Sequence, residues 1–272
     1  MNLTPEVRQL CEEVRRFIRK EVDPRSRWIE ENDAIPDELM RMARELGLFG
    51  LTIPELYGGI GLDLAGKCAI EEEMGRTNYG FATVIGNHTG IGTTGIDALG
   101  TEAQKRKYLP RMATGEWVGC FALTEPQAGS NPADIRTAAV RKGDRYVLNG
   151  EKIYTTNGGI AQVFTVMAVT DKAKGVKGIS AFIIERGFSG FSTGRNELKM
   201  GMHGCSTVPL AFTDCEVPVE NLLGPEGMGY IQALKTLTMG RVTIAARACG
   251  MMDKLIERCV DYMKTRMQGG KA

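Results

Sequence analysis

Residues 123–131, LTEPQAGSN, place several hydrogen-bonding groups directly after the apolar run at residues 118–123. Thr124 and Ser130 carry hydroxyls, and Gly129 leaves the neighbouring backbone N–H groups open to close approach. Such a turn at a strand end suits a planar ligand with a polar edge, or a phosphate. A loop whose hydroxyls satisfy only its own backbone explains the same residues equally well.

Residues 148–157, LNGEKIYTTN, form a second segment of this kind. The pair Asn149–Gly150 predicts a tight hairpin, followed by a strand that ends in Tyr154, Thr155 and Thr156. An aromatic ring to lie along a ring system and a hydroxyl to bond its edge are what a flavin isoalloxazine needs. We therefore expect two strand ends of one β domain to converge on one flavin cofactor.

Other chemistry-bearing residues favour structural roles. His88 and His203 are the two histidines of the chain and have no carboxylate pattern nearby, so the sequence predicts neither a metal site nor a catalytic triad. Residues 90–95 match GxGxxG and follow an apolar run at residues 81–85, but a short segment leads from them straight to the cationic helix at Thr101, which does not fit a dinucleotide-binding fold. The cationic run at residues 105–107 reads as the solvated face of a helix.

Composition narrows the classes of partner. Lysine plus arginine (34) nearly balances aspartate plus glutamate (33), which argues against nucleic acid or an anionic membrane as a partner. The seven cysteines are scattered without metal-ligand spacing and are expected to be reduced. No apolar run approaches the roughly 20 residues that span a bilayer, and the charged N-terminus does not resemble a signal peptide. The expected location is the cytoplasm of a bacterium.

The spacing of apolar residues predicts three regions. Up to Gly115 the pattern is helical: Thr4 and Pro5 open one helix, residues 35–37 open another, and Thr101 opens a cationic helix. Short β-branched and aromatic runs follow, without helical patterns between them, which favours an antiparallel barrel or sandwich. A long helical pattern begins at about Tyr230.

These motifs together resemble the acyl-CoA dehydrogenase family, flavoenzymes that oxidise acyl-CoA thioesters to 2,3-enoyl-CoA. The resemblance covers the whole chain in order and includes GTEAQKRKYLP, FALTEPQAGS, LNGEKIYTTNGG and MGMHGCSTVPLAFTDCEVPVENLLG. It implies a multidomain α+β fold. The expected domains are a helical N-terminal domain at residues 1–116, a β domain at 117–229, and the incomplete start of a helical bundle at 230–272.

The resemblance implies FAD as cofactor and assigns residues to it. Thr124 would face the flavin edge, Thr156 would bond near the flavin N5, and Arg266 would reach the FAD pyrophosphate of a neighbouring subunit. The family has phenylalanine-glycine three residues after that arginine, where this chain has Gly269 and Gly270. The full set expected to bind FAD is Phe121, Ala122, Leu123, Thr124, Gly129, Ser130, Tyr154, Thr155, Thr156 and Arg266.

For the acyl-CoA substrate, the resemblance implies contacts by Ser130, Thr238, Met239, Gly240 and Arg241. The catalytic residue is unknown. Most members of the family carry a glutamate base at a position that would lie beyond Ala272, and a minority place it where this chain has Gly240. Since a thioester α-proton is weakly acidic, its removal requires a positioned carboxylate.

We therefore expect an acyl-CoA dehydrogenase that passes electrons to an electron-transferring flavoprotein and forms a tetramer or dimer. Two alternatives stay open at this point. One is a flavin oxidase or monooxygenase on the same fold. The other is a short paralogue without a base, which would bind flavin or acyl-CoA or assist assembly.

Overall fold

The computed structural model describes residues 3–271, so that Met1, Asn2 and Ala272, at the outer ends of the predicted domains, lie outside it. Helices occupy the first part of the chain and return at its end. They are α1 (Pro5–Phe17), α2 (Ser26–Asn32), α3 (Asp37–Glu45), α4 (Leu64–Gly75), α5 (Tyr79–Asn87), α6 (Thr94–Leu99), α7 (Glu102–Ala113) and α8 (Gly229–Thr265).

Local signals in the sequence start two of these helices. The hydroxyl of Thr4 accepts the Val7 N–H at 3.4 Å, and Pro5 occupies the first turn of α1. Thr101 and Gln104 form a reciprocal capping box at the start of α7. Both predicted helix starts are therefore confirmed.

The middle of the chain forms one sheet of β1 (Gly119–Ala122), β2 (Ala138–Lys142), β3 (Arg145–Thr156), β4 (Val163–Val169), β5 (Ile179–Glu185), β6 (Phe191–Thr193), β7 (Thr207–Pro218) and β8 (Leu222–Leu223). The strand order is β6-β7-β3-β2-β4-β5-β8, with β1 beside β4. Most pairs are antiparallel, but β4 pairs in parallel with both β1 and β2. The fold class is confirmed, whereas a wholly antiparallel sheet is not.

The predicted hairpin at Asn149–Gly150 is wrong. Both residues lie inside β3, where a shift in register against β7 marks a bulge. The chain turns instead between β2 and β3, where Gly143 adopts a φ of 64°. An Asn-Gly pair satisfies a bulge as well as a turn, since both need a permissive backbone.

Helix α8 packs closely on α4 through glycine. A Cβ atom on Gly75 would overlap the carbonyl oxygen of Arg247, and one on Gly250 would overlap the carbonyl oxygen of Glu72. The helix backbones therefore touch, which fixes where the side chains of α8 stand above the helical part of the chain. Away from α4, α8 exposes the apolar residues Ile231, Leu234, Met239, Val242, Ile244, Met252, Leu255, Ile256, Val260, Tyr262 and Met263.

The GxGxxG match lies in a helical setting. The run at residues 81–85 belongs to α5, not to a strand, and a five-residue π-type turn (His88–Gly92) joins α5 to α6. The absence of a preceding strand agrees with the sequence-based rejection of a dinucleotide site. Within residues 3–271, no helix is both long and apolar enough to cross a membrane.

Candidate active site

The two segments expected to share a ligand are joined by a backbone hydrogen bond. The Ile153 N–H donates to the Thr124 carbonyl at 2.9 Å. Thr124 follows β1, and Ile153 lies near the end of β3, so that the turn after one strand is fixed against the other. Thr124 and Thr156 are both half-buried. The structure thus places Thr124 beside the end of β3 that carries Tyr154, Thr155 and Thr156.

A buried ion pair lies beneath this junction and was missed from the sequence. Lys152 Nζ donates to Glu125 Oε1 at 2.6 Å and to the Leu123 carbonyl at 3.2 Å. The two side chains are 0% and 3% exposed, respectively. Glu125 also accepts the backbone N–H groups of Arg136 and Thr137, at 2.6 and 3.0 Å. The pair therefore ties the turn after β1 to β2 and β3.

Burial opposes charge on both partners of this pair. It lowers the pKa of Lys152 to about 8, although the Glu125 carboxylate pulls in the opposite direction. Burial alone would raise the pKa of Glu125, but the Lys152 ammonium and the surrounding hydrogen bonds outweigh it and leave that pKa lowered. A charged residue at an inward-facing strand position, as Lys152 is in β3, is the sequence signal that could have revealed the pair.

The end of β3 aims an aromatic ring outward. Tyr154 is 62% exposed and holds a φ of 55°, beside a second register shift of β3 against β7. A non-glycine residue in the left-handed region at a bulge is typical of a functional edge. The neighbouring Thr155 is 1% exposed, and its hydroxyl has no hydrogen-bond partner within residues 3–271. An exposed aromatic ring at this strand end fits a planar cofactor.

Gly129 and Ser130 lie on the exposed far side of the turn. Glu125 and Ala128 close the turn with two backbone hydrogen bonds of 3.0 Å. A Cβ atom on Gly129 would meet nothing within 4 Å, so no neighbouring residue requires glycine there. The space beside this backbone is open to a ligand.

The predicted substrate residues on α8 do not all face one space. Met239 and Gly240 line a cavity of about 170 Å³ between α4, the π-type turn and α8. Thr238 and Arg241 are exposed and do not line it. Arg266 follows the end of α8, is exposed, and makes no ion pair within the described residues. Thr238, Arg241 and Arg266 therefore do not line the cavity.

Most of the residues that line the cavity were not predicted from the sequence. Its lining residues are Thr52, Leu62, Asp63, Leu64, Lys67, Thr89, Gly90, Thr93, Thr94, Asp97, Thr236, Met239, Gly240 and Thr243. Behind them, Glu71 pairs with Lys67 at 2.8 Å and with Arg247 at 2.6 Å. All three charged side chains are at most 5% exposed. A lysine and an arginine within apolar helix runs were the available signals.

His88 connects the helical part to β1, and its predicted structural role is confirmed. The ring is fully buried; Nε2 lies 3.1 Å from the Phe49 carbonyl and 3.0 Å from the Met112 carbonyl, and Nδ1 accepts the Gly119 N–H at 2.9 Å. Burial lowers the pKa of His88 to about 4. The neutral ring thereby fixes the first residue of β1. Within the described chain, no group of metal-ligating side chains is present.

A helical domain, a sheet domain with two strand ends joined by a hydrogen bond, and a long helix over a cavity define a three-part flavoenzyme fold. Sequence profiles match all three parts. They describe the acyl-CoA dehydrogenase N-terminal domain (residues 4–116), middle domain (120–215) and C-terminal domain (227–272). The chain belongs to the acyl-CoA dehydrogenase family.

Individual relatives agree with this family assignment. A short-chain specific acyl-CoA dehydrogenase of Clostridium acetobutylicum is 42% identical over 271 residues, which cover 100% of this chain and 72% of that protein. A solved structure from work on the electron transferring flavoprotein of Acidaminococcus fermentans gives a TM-score of 0.96 at 41% identity, covering 100% of this chain and 71% of that one. The structure of an acyl-CoA dehydrogenase complexed with FAD, from Bacillus anthracis, gives a TM-score of 0.91 at 39% identity. The match covers 99% of this chain and 47% of that one.

Proposed function

We propose that this chain provides the FAD site and part of the thioester site of an acyl-CoA dehydrogenase, an oxidoreductase acting on a CH–CH bond. The observation that carries the proposal is the 2.9 Å bond between Ile153 and Thr124, which holds two hydroxyl-bearing strand ends together beside the outward-facing ring of Tyr154.

The residues at this junction fit a flavin. Thr124 and Thr156 would bond the polar edge of the ring system, and Tyr154 would lie along it. Gly129 and Ser130, with open space beside them, would approach the cofactor phosphates, and Ser130 would also touch substrate. Phe121, Ala122, Leu123 and Thr155 would support this edge. When bound, FAD supplies the acceptor for a hydride from the β-carbon of the thioester.

The chain's own residues would position the thioester. Met239 and Gly240, on the cavity wall, would lie against the acyl part, and Thr238 and Arg241, on the exposed side of α8, would contact the rest of acyl-CoA. No residue is assigned as the base. Removal of the α-proton needs a carboxylate near the acyl carbon, and Gly240 marks a helix position from which one would reach the cavity.

Assembly and electron transfer complete the proposal. The exposed apolar residues of α8 support an oligomer, a tetramer or dimer, in which Arg266 reaches the pyrophosphate of FAD in another subunit. An electron-transferring flavoprotein would accept the electrons, in keeping with the structural relative described above. The bacterial cytoplasm stays a prediction from the sequence.

The test is the visible absorption spectrum of the purified chain loaded with FAD, recorded anaerobically with a series of acyl-CoA thioesters. We expect a bound-flavin spectrum that shifts when a thioester binds. The flavin absorbance should bleach in a variant that carries a carboxylate on the cavity wall, such as Gly240→Glu. Thr124→Val removes a hydroxyl that would bond the flavin, and Thr137→Val is the matched control for loss of a hydroxyl elsewhere in the β domain. Only Thr124→Val should weaken FAD binding. A chain that binds neither FAD nor any thioester would refute the proposal, and rapid reoxidation by air would point to an oxidase.

A further inference from the structure

Three consecutive residues of the turn after β1 are each bonded to adjacent positions of β3. Lys152 Nζ donates to the Leu123 carbonyl at 3.2 Å and to Glu125 Oε1 at 2.6 Å. Between these two contacts, the Ile153 N–H donates to the Thr124 carbonyl at 2.9 Å. Lys152 therefore fixes the chain on both sides of Thr124, the residue proposed to bond the flavin edge.

The backbone of Lys152 also marks the start of the second bulge of β3. Lys152 is paired with β7, the register then shifts, and pairing resumes at Thr155. Ile153 and Tyr154 lie in the bulge, and the Ile153 N–H bonds Thr124 instead of β7. One residue thus joins the two proposed flavin-binding segments, because its side chain holds the turn and its backbone leads into the strand end that carries the aromatic ring.

Stability alone does not account for a charged pair at this place. Lys152 and Glu125 are 0% and 3% exposed, and a buried ion pair often contributes no more stability than well-packed apolar residues of the same volume. Burial lowers the pKa of Lys152 to about 8, which leaves the amine charged at pH 7. Glu125 is itself held by the N–H groups of Arg136 and Thr137. What the pair adds is a defined position for the turn.

From these contacts we propose that Lys152 is a positioning residue for FAD. It holds the turn that carries Thr124 against the strand end that carries Tyr154 and Thr156, so that both segments are in place before the flavin binds. A site whose groups are already ordered loses less conformational entropy on binding. Since Lys152 is fully buried, it acts through the turn and does not touch the cofactor. This inference rests on the proposed FAD site.

The test separates support of the fold from positioning of the cofactor. FAD is titrated at pH 7 into the cofactor-free wild type, Lys152→Met, Glu125→Gln and the double variant, and each protein is also unfolded in urea. Lys152→Met should be less stable because Glu125 is left without its cation, and the double variant should recover much of that loss. FAD affinity should not recover with it. Both proteins that carry Lys152→Met should bind FAD about tenfold more weakly than the wild type, the loss of one hydrogen bond from a charged donor.

Two further comparisons make the result specific. Glu125→Gln keeps the amine beside the Leu123 carbonyl, so its FAD affinity should fall less than that of the double variant, from which it differs only at position 152. Gly86→Ala is the control for destabilisation elsewhere, because its added methyl group meets the guanidinium of Arg247 in the helical part. It should leave FAD affinity unchanged.

The visible circular dichroism of bound FAD, recorded with the sites saturated, gives a readout that does not depend on stability. It should differ from the wild-type spectrum in Lys152→Met and in the double variant, and match it in Gly86→Ala. If Lys152→Met does not fold, the comparison of Glu125→Gln with the double variant decides the question.

Recovery of FAD affinity together with stability in the double variant would show that Lys152 only supports the fold, and would overturn the inference. Wild-type FAD affinity in Lys152→Met would overturn it as well. Either result leaves the proposed FAD site standing. Failure of the wild-type chain to bind FAD would instead count against the proposed function and this inference with it.

Discussion

Protonation of His88 should destabilise this protein as the pH falls. The ring already uses both nitrogens: Nδ1 accepts the Gly119 N–H, and the Nε2 proton faces the carbonyls of Phe49 and Met112. A second ring proton would point Nδ1–H at another N–H donor in a site that is closed to water. Protonation must therefore break the link between β1 and the helical part.

The size of the effect follows from the two pKa values. Burial lowers the pKa of His88 from 6.5 to about 4 in the folded protein. Between these values the unfolded chain binds more protons, so the stability conferred by neutral His88 is present above pH 6.5 and is lost as the pH falls toward 4. At 1.36 kcal/mol for each pKa unit, going from pH 7.5 to pH 5 removes about 2 kcal/mol from the free energy of unfolding.

The assay is equilibrium unfolding in urea at several pH values from 7.5 to 5, for the wild-type chain and for His88→Gln. The variant is less stable at pH 7.5 because a buried hydrogen bond is lost. Between pH 7.5 and pH 5, however, its free energy of unfolding should fall by about 2 kcal/mol less than that of the wild type. His203→Gln is the matched control, since a backbone hydrogen bond to Lys199 raises the pKa of His203. The contribution of His203 is lost as the pH rises, so its removal should change the slope in the opposite sense.

Equal slopes for the wild type and His88→Gln would refute this reasoning. That result would mean that the imidazole either stays accessible to water or reorganises to keep its bonds when charged. A slope change of the same sign in both histidine variants would likewise show that the effect is not specific to the buried ring.

Three further changes test the site from other directions. Lys152→Met leaves Glu125 buried without its cation and should lower the free energy of unfolding by about 3 kcal/mol in urea titrations, with much of the loss recovered when Glu125→Gln is added. Gly86→Ala places a methyl group on the guanidinium of Arg247, so we expect a loss of about 1–3 kcal/mol and a lower melting temperature. Gly240→Glu places a carboxylate on the cavity wall, where the nearest atom to its Cβ lies 3.4 Å away. The rate at which a thioester bleaches the flavin, measured by stopped flow, should then rise about a hundredfold or more. An unchanged rate would count against this cavity as the acyl site.

The sequence was informative where a feature depends on neighbouring residues. The caps at Thr4 and Thr101 are local, since a hydroxyl bonds a backbone N–H three residues away, and both were predicted correctly. Asn149–Gly150 is local too but misled the prediction, because the same permissive pair suits a hairpin or a bulge. The pairing of β3 with β7 decides between them, and β7 lies about sixty residues further along the chain.

By itself, then, the sequence determined the order of helical and sheet regions, the family, and the two strand ends with hydroxyls and an aromatic ring. Only the tertiary structure decided what lies under and beside them. Lys152 meets Glu125 across 27 residues and Arg247 meets Glu71 across 176. Buried charges are tolerated only in pairs, and a pair exists only once distant segments are packed together. The cavity between α4, the π-type turn and α8 is likewise a product of that packing.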